Sequence, residues 1–380
     1  MKKFYFTRLF LLVGLFGFGQ SIEVGVTEGQ LSVSLSGGAN YTIPIAVPPG
    51  INGVVPQISL TYNSQGVNGI AGYGWNISGV STISRIPATK FHDNVIDAVD
   101  FNALDRFALD GQRLIVKNDT SGVYGANETV YETESFSNIK VTSFGINPSG
   151  AKYGPAYFLV EYPDGSKAYY GNSADSRSVT DWAITYWENS QGVRMSYNYS
   201  ASENVFNNVL NIISIKDGSV ITSTPINEIR FKYNTRKRAE QAYVGGQSIT
   251  QNTILKEINV VGNGVGFRNY ILDHEATSLN YDRLKSITEK SGDNTKSYNP
   301  TTFSYDNTVS PTPLKASSEA TLGWSGINNL NSDYISGDFD NDGKTDIILY
   351  SKTTGLRDRY TLFSNIISGK LNTGLSLIHI

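Results

Sequence analysis

Near the C-terminal end of the 380-residue chain, Asp338-Phe339-Asp340-Asn341-Asp342-Gly343-Lys344-Thr345-Asp346 form a D-x-D-x-D-G-x-x-D series. Side-chain carboxylates at positions 1, 3, 5 and 9 alternate inward on a tight loop, and Gly343 permits the turn that gathers them. The backbone carbonyl of Lys344 supplies a further oxygen. Hard oxygen ligands in this number suit Ca²⁺ far better than Mg²⁺, which takes fewer protein ligands in a stricter octahedron. The predicted ligands are therefore Asp338, Asp340, Asp342, Asp346 and the Lys344 carbonyl, and the predicted role is structural, because clustered carboxylates repel one another without a cation. An EF-hand needs a bidentate Glu at position 12, where this chain has Leu349, and flanking helices, where this chain has strand-like Tyr334-Ile335-Ser336 and Ile347-Ile348-Leu349-Tyr350. The competing interpretation is an Asp/Asn-rich turn without metal.

Other residues with chemical potential are weaker. Glu132-Thr133-Glu134 has the E-x-E spacing of the catalytic glutamates in arginine-specific ADP-ribosyltransferases. No arginine and Ser-Thr-Ser strand precede it recognisably, and alternation places both carboxylates on one solvent face of a strand. The histidines are His92, His274 and His379; His92-Asp93 makes no triad and no G-x-S-x-G elbow is present. Gly72-Tyr73-Gly74-Trp75 is glycine-rich, but no helical pattern follows to offer an N-terminus to a phosphate. Tyr169, Tyr170, Tyr186 and Tyr197, with Trp182 and Trp187, are candidates for a sugar-binding face, yet on sheets such aromatics more often pack across strands. No catalytic residue is expected.

The elements that must carry these residues are strands. Gly, Ser, Thr, Asn and Tyr are abundant and helical patterning is weak, which indicates a β-rich protein. Alternation recurs every ten to fifteen residues as far as about Tyr305. The clearest hairpin is Tyr157 to Tyr162, Pro163-Asp164-Gly165-Ser166, then Lys167 to Tyr170, where proline presets φ and glycine accepts a positive φ. Further strands are read at Val193 to Tyr199, Ile226 to Tyr233, Ile254 to Val261 and Phe267 to Asp273; Asn102 to Leu109 is read as one or two helical turns. In Ile43 to Arg85, an apolar strand breaks at Pro48-Pro49-Gly50 and an alternating one runs from Gln57 to Tyr62. Glycine-rich turns then surround Trp75, a predicted buried anchor.

Composition bounds the partners. A net charge of −3 and the lack of any basic block argue against nucleic acid or an anionic membrane surface. There is no cysteine, so disulfides, thiolate metal sites and cysteine nucleophiles are excluded. Lys2, Lys3 and Arg8 followed by the short apolar run Leu9 to Phe18, with Gly17 and Gly19 at a cleavage position, predict an export signal over residues 1–19. That run is half the roughly 20 residues a membrane-spanning helix needs, and nothing later is apolar enough to span a bilayer.

The proline-glycine punctuation, the Leu60-Thr61-Tyr62-Asn63-Ser64-Gln65 strand and the Gly72-Tyr73-Gly74-Trp75 turn occur in order and closely resemble the SpvB-like domain at the N-terminus of insecticidal toxin complex B components and related Rhs-type toxins. Arg106 to Leu114, Tyr131 to Ser137, Tyr281 to Ile287 and Pro300 to Tyr305 share the resemblance. The aspartate loop is similar to an FG-GAP/VCBS repeat, one blade of a β-propeller. The resemblance implies an all-β fold: an antiparallel β-sheet SpvB-like domain over 20–308, a linker over 309–321, and the first blade of an incomplete β-propeller over 322–374. It implies a secreted virulence scaffold that helps to build a hollow shell around a C-terminal toxin cargo and docks on a pore-forming subunit. Some relatives carry a transferase at their far C-terminus; none is expected within this chain. A calcium-dependent surface adhesin or carbohydrate-binding propeller protein is the alternative. Residues 375–380 resemble the in-frame translation of a transposase-end sequencing adapter, from which we expect the natural chain to continue into further blades and Rhs-type repeats.

Overall fold

The computed structural model describes residues 25–117, 122–200, 211–220, 223–277, 279–305, 332–337, 339, 346–352 and 360–363. Its contacts divide the chain into two compact units, Met1–Ser304 and Tyr305–Ile380. All strand-to-strand pairing in the sheets is antiparallel, so the expected all-β, antiparallel class is what the chain adopts.

The first unit opens with a six-stranded sheet. Its strands are β1 (Gln30–Val33), β2 (Ala39–Pro44), β3 (Ser59–Asn63), β4 (Asn68–Gly69), β5 (Gly72–Tyr73) and β6 (Trp75–Ser78), in spatial order β1-β2-β3-β6-β5-β4. Trp75 is a buried anchor, 1 % exposed, with its ring 4.7 Å from Phe303 and 5.3 Å from Tyr62 between centroids. The corner after it needs glycine twice over. Gly79 has φ +92, and a Cβ there would fall 1.9 Å from the Gln57 carbonyl oxygen.

The next eight strands close into a barrel. They are β7 (Thr82–Ile86), β8 (Arg106–Leu109), β9 (Gln112–Val116), β10 (Val130–Thr133), β11 (Lys140–Phe144), β12 (Tyr157–Glu161), β13 (Lys167–Tyr170) and β14 (Asp181–Glu188). Each pairs with the next in the chain, and β14 also pairs with β7 through Asp181↔Ser84, Trp182↔Ile83 and Ala183↔Thr82. Eight strands leave an interior that side chains alone can fill. Here Phe107, Phe158 and Trp182 fill it edge-on, each pair 5.3 Å between centroids. Glycine and proline set the hairpins as expected: Gly165 takes φ +81 in the Pro163-Asp164-Gly165 turn, and Asp164 accepts the backbone N–H of Ser166.

From the second half of β14 the sheet runs on through β15 (Val193–Tyr199), β16 (Ile212–Val220), β17 (Asn227–Val244), β18 (Gln247–Gly262), β19 (Val265–Ala276), β20 (Asp282–Ser291) and β21 (Thr301–Thr302). The four strands predicted here exist, three of them longer than predicted. The apolar face of β17 to β20 packs on the six-stranded sheet: Ile43, Leu60 and Trp75 share one core with Ile229, Ile258, Tyr270, Leu272 and Leu284. Backbone polarity at the junction is met by side chains, since Tyr270 Oη accepts the Ala46 N–H at 2.9 Å and Asn227 Nδ2 donates to the Pro49 carbonyl at 3.2 Å.

The helical turns expected over Asn102 to Leu109 are not formed; Arg106–Leu109 is strand β8. The reason is local: Asp110 and Gly111 take φ +47 and +82, the left-handed pair of a tight hairpin, and bind β8 to β9. The α-helical turn among the described residues is Lys90–Asp93, capped by the Thr89 hydroxyl accepting the His92 N–H. No helix of the described residues is long and apolar enough to cross a membrane.

In the second unit, β22 (Ser332–Gly337), β23 (Asp346–Ser351) and β24 (Tyr360–Phe363) form a three-stranded antiparallel sheet.

Candidate functional site

The aspartate loop is the connection between β22 and β23. Their register pairs Gly337 with Asp346, which closes the two ends of an eight-residue loop, 338–345, on one another. Of the predicted ligands, Asp338, Asp340, Asp342 and Lys344 lie outside the described residues. Asp346 is described: it is fully buried at the start of β23, and its Oδ2 accepts the Phe339 N–H at 2.9 Å. A carboxylate held out of water must be compensated by donors or a cation, and the Phe339 N–H is one such donor. Among the described residues no group of three or more His, Asp or Glu side chains could hold a metal ion.

The remaining candidates divide plainly. Glu132 lies half-exposed on β10 and Glu134 is exposed just beyond it, while Thr133 between them is buried, so the two glutamates do face outward together. Glu134 Oε1 sits 2.7 Å from His92 Nε2, and His92 Nδ1 sits 2.8 Å from the Thr89 hydroxyl. That chain ties the helical turn to the barrel wall. His274 is half-buried, and its Nε2 lies 2.9 Å from the Ala71 carbonyl. Because a carbonyl can only accept, Nε2 carries the proton. Desolvation lowers the His274 pKa, which favours the neutral ring, against the opposing pull of the Ala71 hydrogen bond. His379 lies outside the described residues. The aromatics pack across strands: Tyr169 stacks on Tyr186 at 4.4 Å, with the Arg194 guanidinium 4.1 Å from the Tyr186 ring centroid, and Trp182 and Tyr197 are buried.

The feature that motif reading missed is a buried cation in the barrel. Arg85 points inward from β7, and its guanidinium carbon lies 5.5–5.6 Å from the ring centroids of Phe101, Phe107 and Trp182. Nη1 donates to Asp105 Oδ2 at 2.9 Å, Nε to the Val179 carbonyl at 3.1 Å and Nη2 to the Tyr153 carbonyl at 2.7 Å. Asp105 in turn accepts the N–H groups of Phe101 and Asp100. Burial pulls the guanidinium below the ordinary arginine value, and the Asp105 charge and hydrogen bond oppose it. Through these three bonds Arg85 knots three loops to the barrel wall. Alternation around Arg85 was the available signal, because an arginine two residues after Ile83 falls on the same inward-facing row and has to find a partner.

The sequence model of one family, the Salmonella virulence plasmid 65kDa B protein, matches residues 33–252. No curated protein matches the chain in sequence. Among solved structures, the TcdB2–TccC3 crystal structure is similar over 88% of this chain and 20% of that chain, at 16% identity and a TM-score of 0.63. The N-terminal domain of the effector SpvB from Salmonella typhimurium strain LT2 is similar over 66% of this chain and 98% of its own length, at 16% identity and a TM-score of 0.52. The Tc holotoxin pore of Photorhabdus luminescens is similar over 92% of this chain and 20% of that chain, at 14% identity and a TM-score of 0.58. The chain thus spans about a fifth of the length of the toxin-complex chains whose fold it shares.

Proposed function

The chain belongs to the SpvB family, and from that premise we propose that it is an exported, non-catalytic scaffold segment of a toxin complex. The observation that carries this reading is the extent of the fold likeness, which covers 88% of the chain against the TcdB2–TccC3 structure. A second support is what fills the barrel. Aromatic rings and the engaged Arg85 occupy its interior, as a wall requires and an open active site does not. The proposed partners are the pore-forming subunit and the C-terminal toxin cargo of such a complex, and the proposed destination is extracellular, reached through the signal over residues 1–19.

Two experiments test the reading. Purified chain is expected to transfer no label from NAD⁺ to arginine-containing acceptors, and to co-purify with the toxin-complex chains encoded beside its gene when expressed with them. Label transfer lost in Glu132→Gln or Glu134→Gln would overturn the scaffold assignment.

We further propose that Asp338, Asp340, Asp342, the Lys344 carbonyl and Asp346 hold a structural Ca²⁺ in the first blade of a β-propeller. The burial of Asp346, the last carboxylate of the series, supports this. Calorimetric titration is expected to give a dissociation constant of roughly 10⁻⁴ to 10⁻³ M, with the heat abolished in Asp342→Asn/Asp346→Asn. Absence of heat at millimolar Ca²⁺ would remove the metal from the account.

A further inference from the structure

The hairpin of β17 and β18 outruns the sheet that carries it. β17 leaves β16 after Arg230, and β18 joins β19 only at Glu257, so among the described residues the stretch between pairs with no further strand. Pairing within the hairpin skips from Thr235↔Thr253 to Glu240↔Gln251, which leaves residues 236–239 opposite Asn252 alone. Beyond that break no residue from Glu240 to Gln251 is buried. A two-stranded hairpin of this kind is marginally stable in water by itself, so its position depends on what it touches.

The ribbon is held differently at its two ends. At the root, Arg236 is buried and donates from Nε to the Thr253 carbonyl at 2.7 Å, from Nη1 to Asn68 Oδ1 at 2.9 Å and from Nη2 to the Gly69 carbonyl at 2.5 Å. The Lys237 N–H donates to Asp282 Oδ2 at 2.9 Å. At the tip, Val244 packs on Phe101, Tyr153 and Val179, and a Cβ on Gly245 would fall 2.5 Å from the Phe101 ring. A cavity of about 430 Å³ opens beside this contact, between Val99 and Thr180 on the barrel side and Tyr243 and Ile249 on the ribbon, so the seat is narrow. Phe101 itself has φ +67, in the left-handed region that a bulky residue adopts only where its surroundings impose it. Here Asp105 accepts its N–H at 2.9 Å, and its ring lies between Gly245 and the Arg85 guanidinium, whose carbon is 5.6 Å from the ring centroid.

From this geometry we propose that the β17–β18 tip is a latch on the barrel: a strap with a seated and a lifted position, hinged at residues 236–239, whose seating holds Phe101 in its left-handed conformation against the Arg85–Asp105 pair. The root is fixed by four hydrogen bonds and the tip by one apolar contact, so the strap opens from the tip. Lifting it frees Phe101 to return to an ordinary φ and uncovers Tyr153 and Val179. Strain released and apolar surface exposed act in opposite directions, as a two-position element requires. Whatever draws the tip away therefore loosens the loop that supplies Asp105 to Arg85. The latch is a property of the first unit and stands whether or not the toxin-complex reading holds.

The test is hydrogen–deuterium exchange of the full chain in two neighbouring variants, Gly245→Ala and Gly246→Ala. Both glycines have positive φ, +53 and +76, so both substitutions strain the turn. Only the first meets the Phe101 ring, since a Cβ on Gly246 has nothing within 4 Å. Gly245→Ala is expected to speed exchange across residues 240–251 by about tenfold relative to Gly246→Ala, and to speed it also across 98–105, with Val160 and Leu272 unchanged. Val244→Ser, which trims the same seat without touching a glycine, is expected to move the same two segments. Equal effects of the two alanine variants overturn the proposal, because the turn and not the seat is then what matters. Faster exchange at the tip without any at 98–105 overturns the coupling to Phe101, and a uniform rise through barrel and long sheet overturns the hinge.

Discussion

Asp105→Ala is expected to cost the first unit about 3–5 kcal/mol, the range for leaving one member of a buried ion pair uncompensated. The side chains of Arg85 and Asp105 are 2% and 1% exposed and 2.9 Å apart. The substitution strands a guanidinium among Phe101, Phe107 and Trp182, and it also deprives the Phe101 and Asp100 N–H groups of their acceptor. Denaturant melts should show the loss as a lower midpoint with an unchanged slope. Added salt should neither rescue nor deepen it, since a pair this deeply buried is little screened. Arg85→Met/Asp105→Leu is expected to lose much less, because an apolar pair of similar volume removes both desolvation penalties together. A loss below about 0.5 kcal/mol in Asp105→Ala, the level of an ordinary surface change, would mean that water reaches Arg85 and that the barrel end is open.

Trp75→Ala should be comparably severe, about 3–5 kcal/mol by the usual cost of deleting a buried tryptophan. Trp75 sits where β6 meets Tyr62 across the strand and Phe303 from the far end of the first unit, so its removal leaves a cavity bounded by rigid rings. The residue also joins distant parts of the chain, and the β1–β6 sheet should loosen from β20. Faster amide exchange at Leu284 and Ile287 than at barrel positions such as Val160 would report this. Uniform destabilisation across both regions would show instead that sheet and barrel unfold as one unit. Trp75→Phe, which keeps a ring in the cavity, is expected to recover a large part of the loss.

These two sites differ in how far they could be foreseen. Trp75 was legible because its surroundings are local: glycines on both sides and an alternating strand before it. The Pro163-Asp164-Gly165 hairpin was legible for the same reason, since a two-residue preference for positive φ decides the turn whatever lies around it. At Asp110-Gly111 the same local chemistry was present and was outweighed by a short apparent helical spacing; φ of +47 and +82 there made the segment a hairpin. The aspartate loop was readable as a ligand series from its own spacing, and the structure adds the buried position of Asp346 and the strand pairing that closes the loop's ends.

The sequence by itself determined the period-2 pattern, the turns, the buried anchor, the candidate calcium ligands and the absence of cysteine chemistry, because each depends on residues within about ten positions of one another. Only the tertiary structure decided that β14 returns to pair with β7 and closes a barrel, and that Arg85 finds Asp105, Tyr153 and Val179 inside it. It alone put β1 at the edge of the six-stranded sheet among the described residues. Closure and burial are set by which strands meet across long separations, and alternation is the same for an edge strand, a barrel strand and a strand in the middle of a sheet.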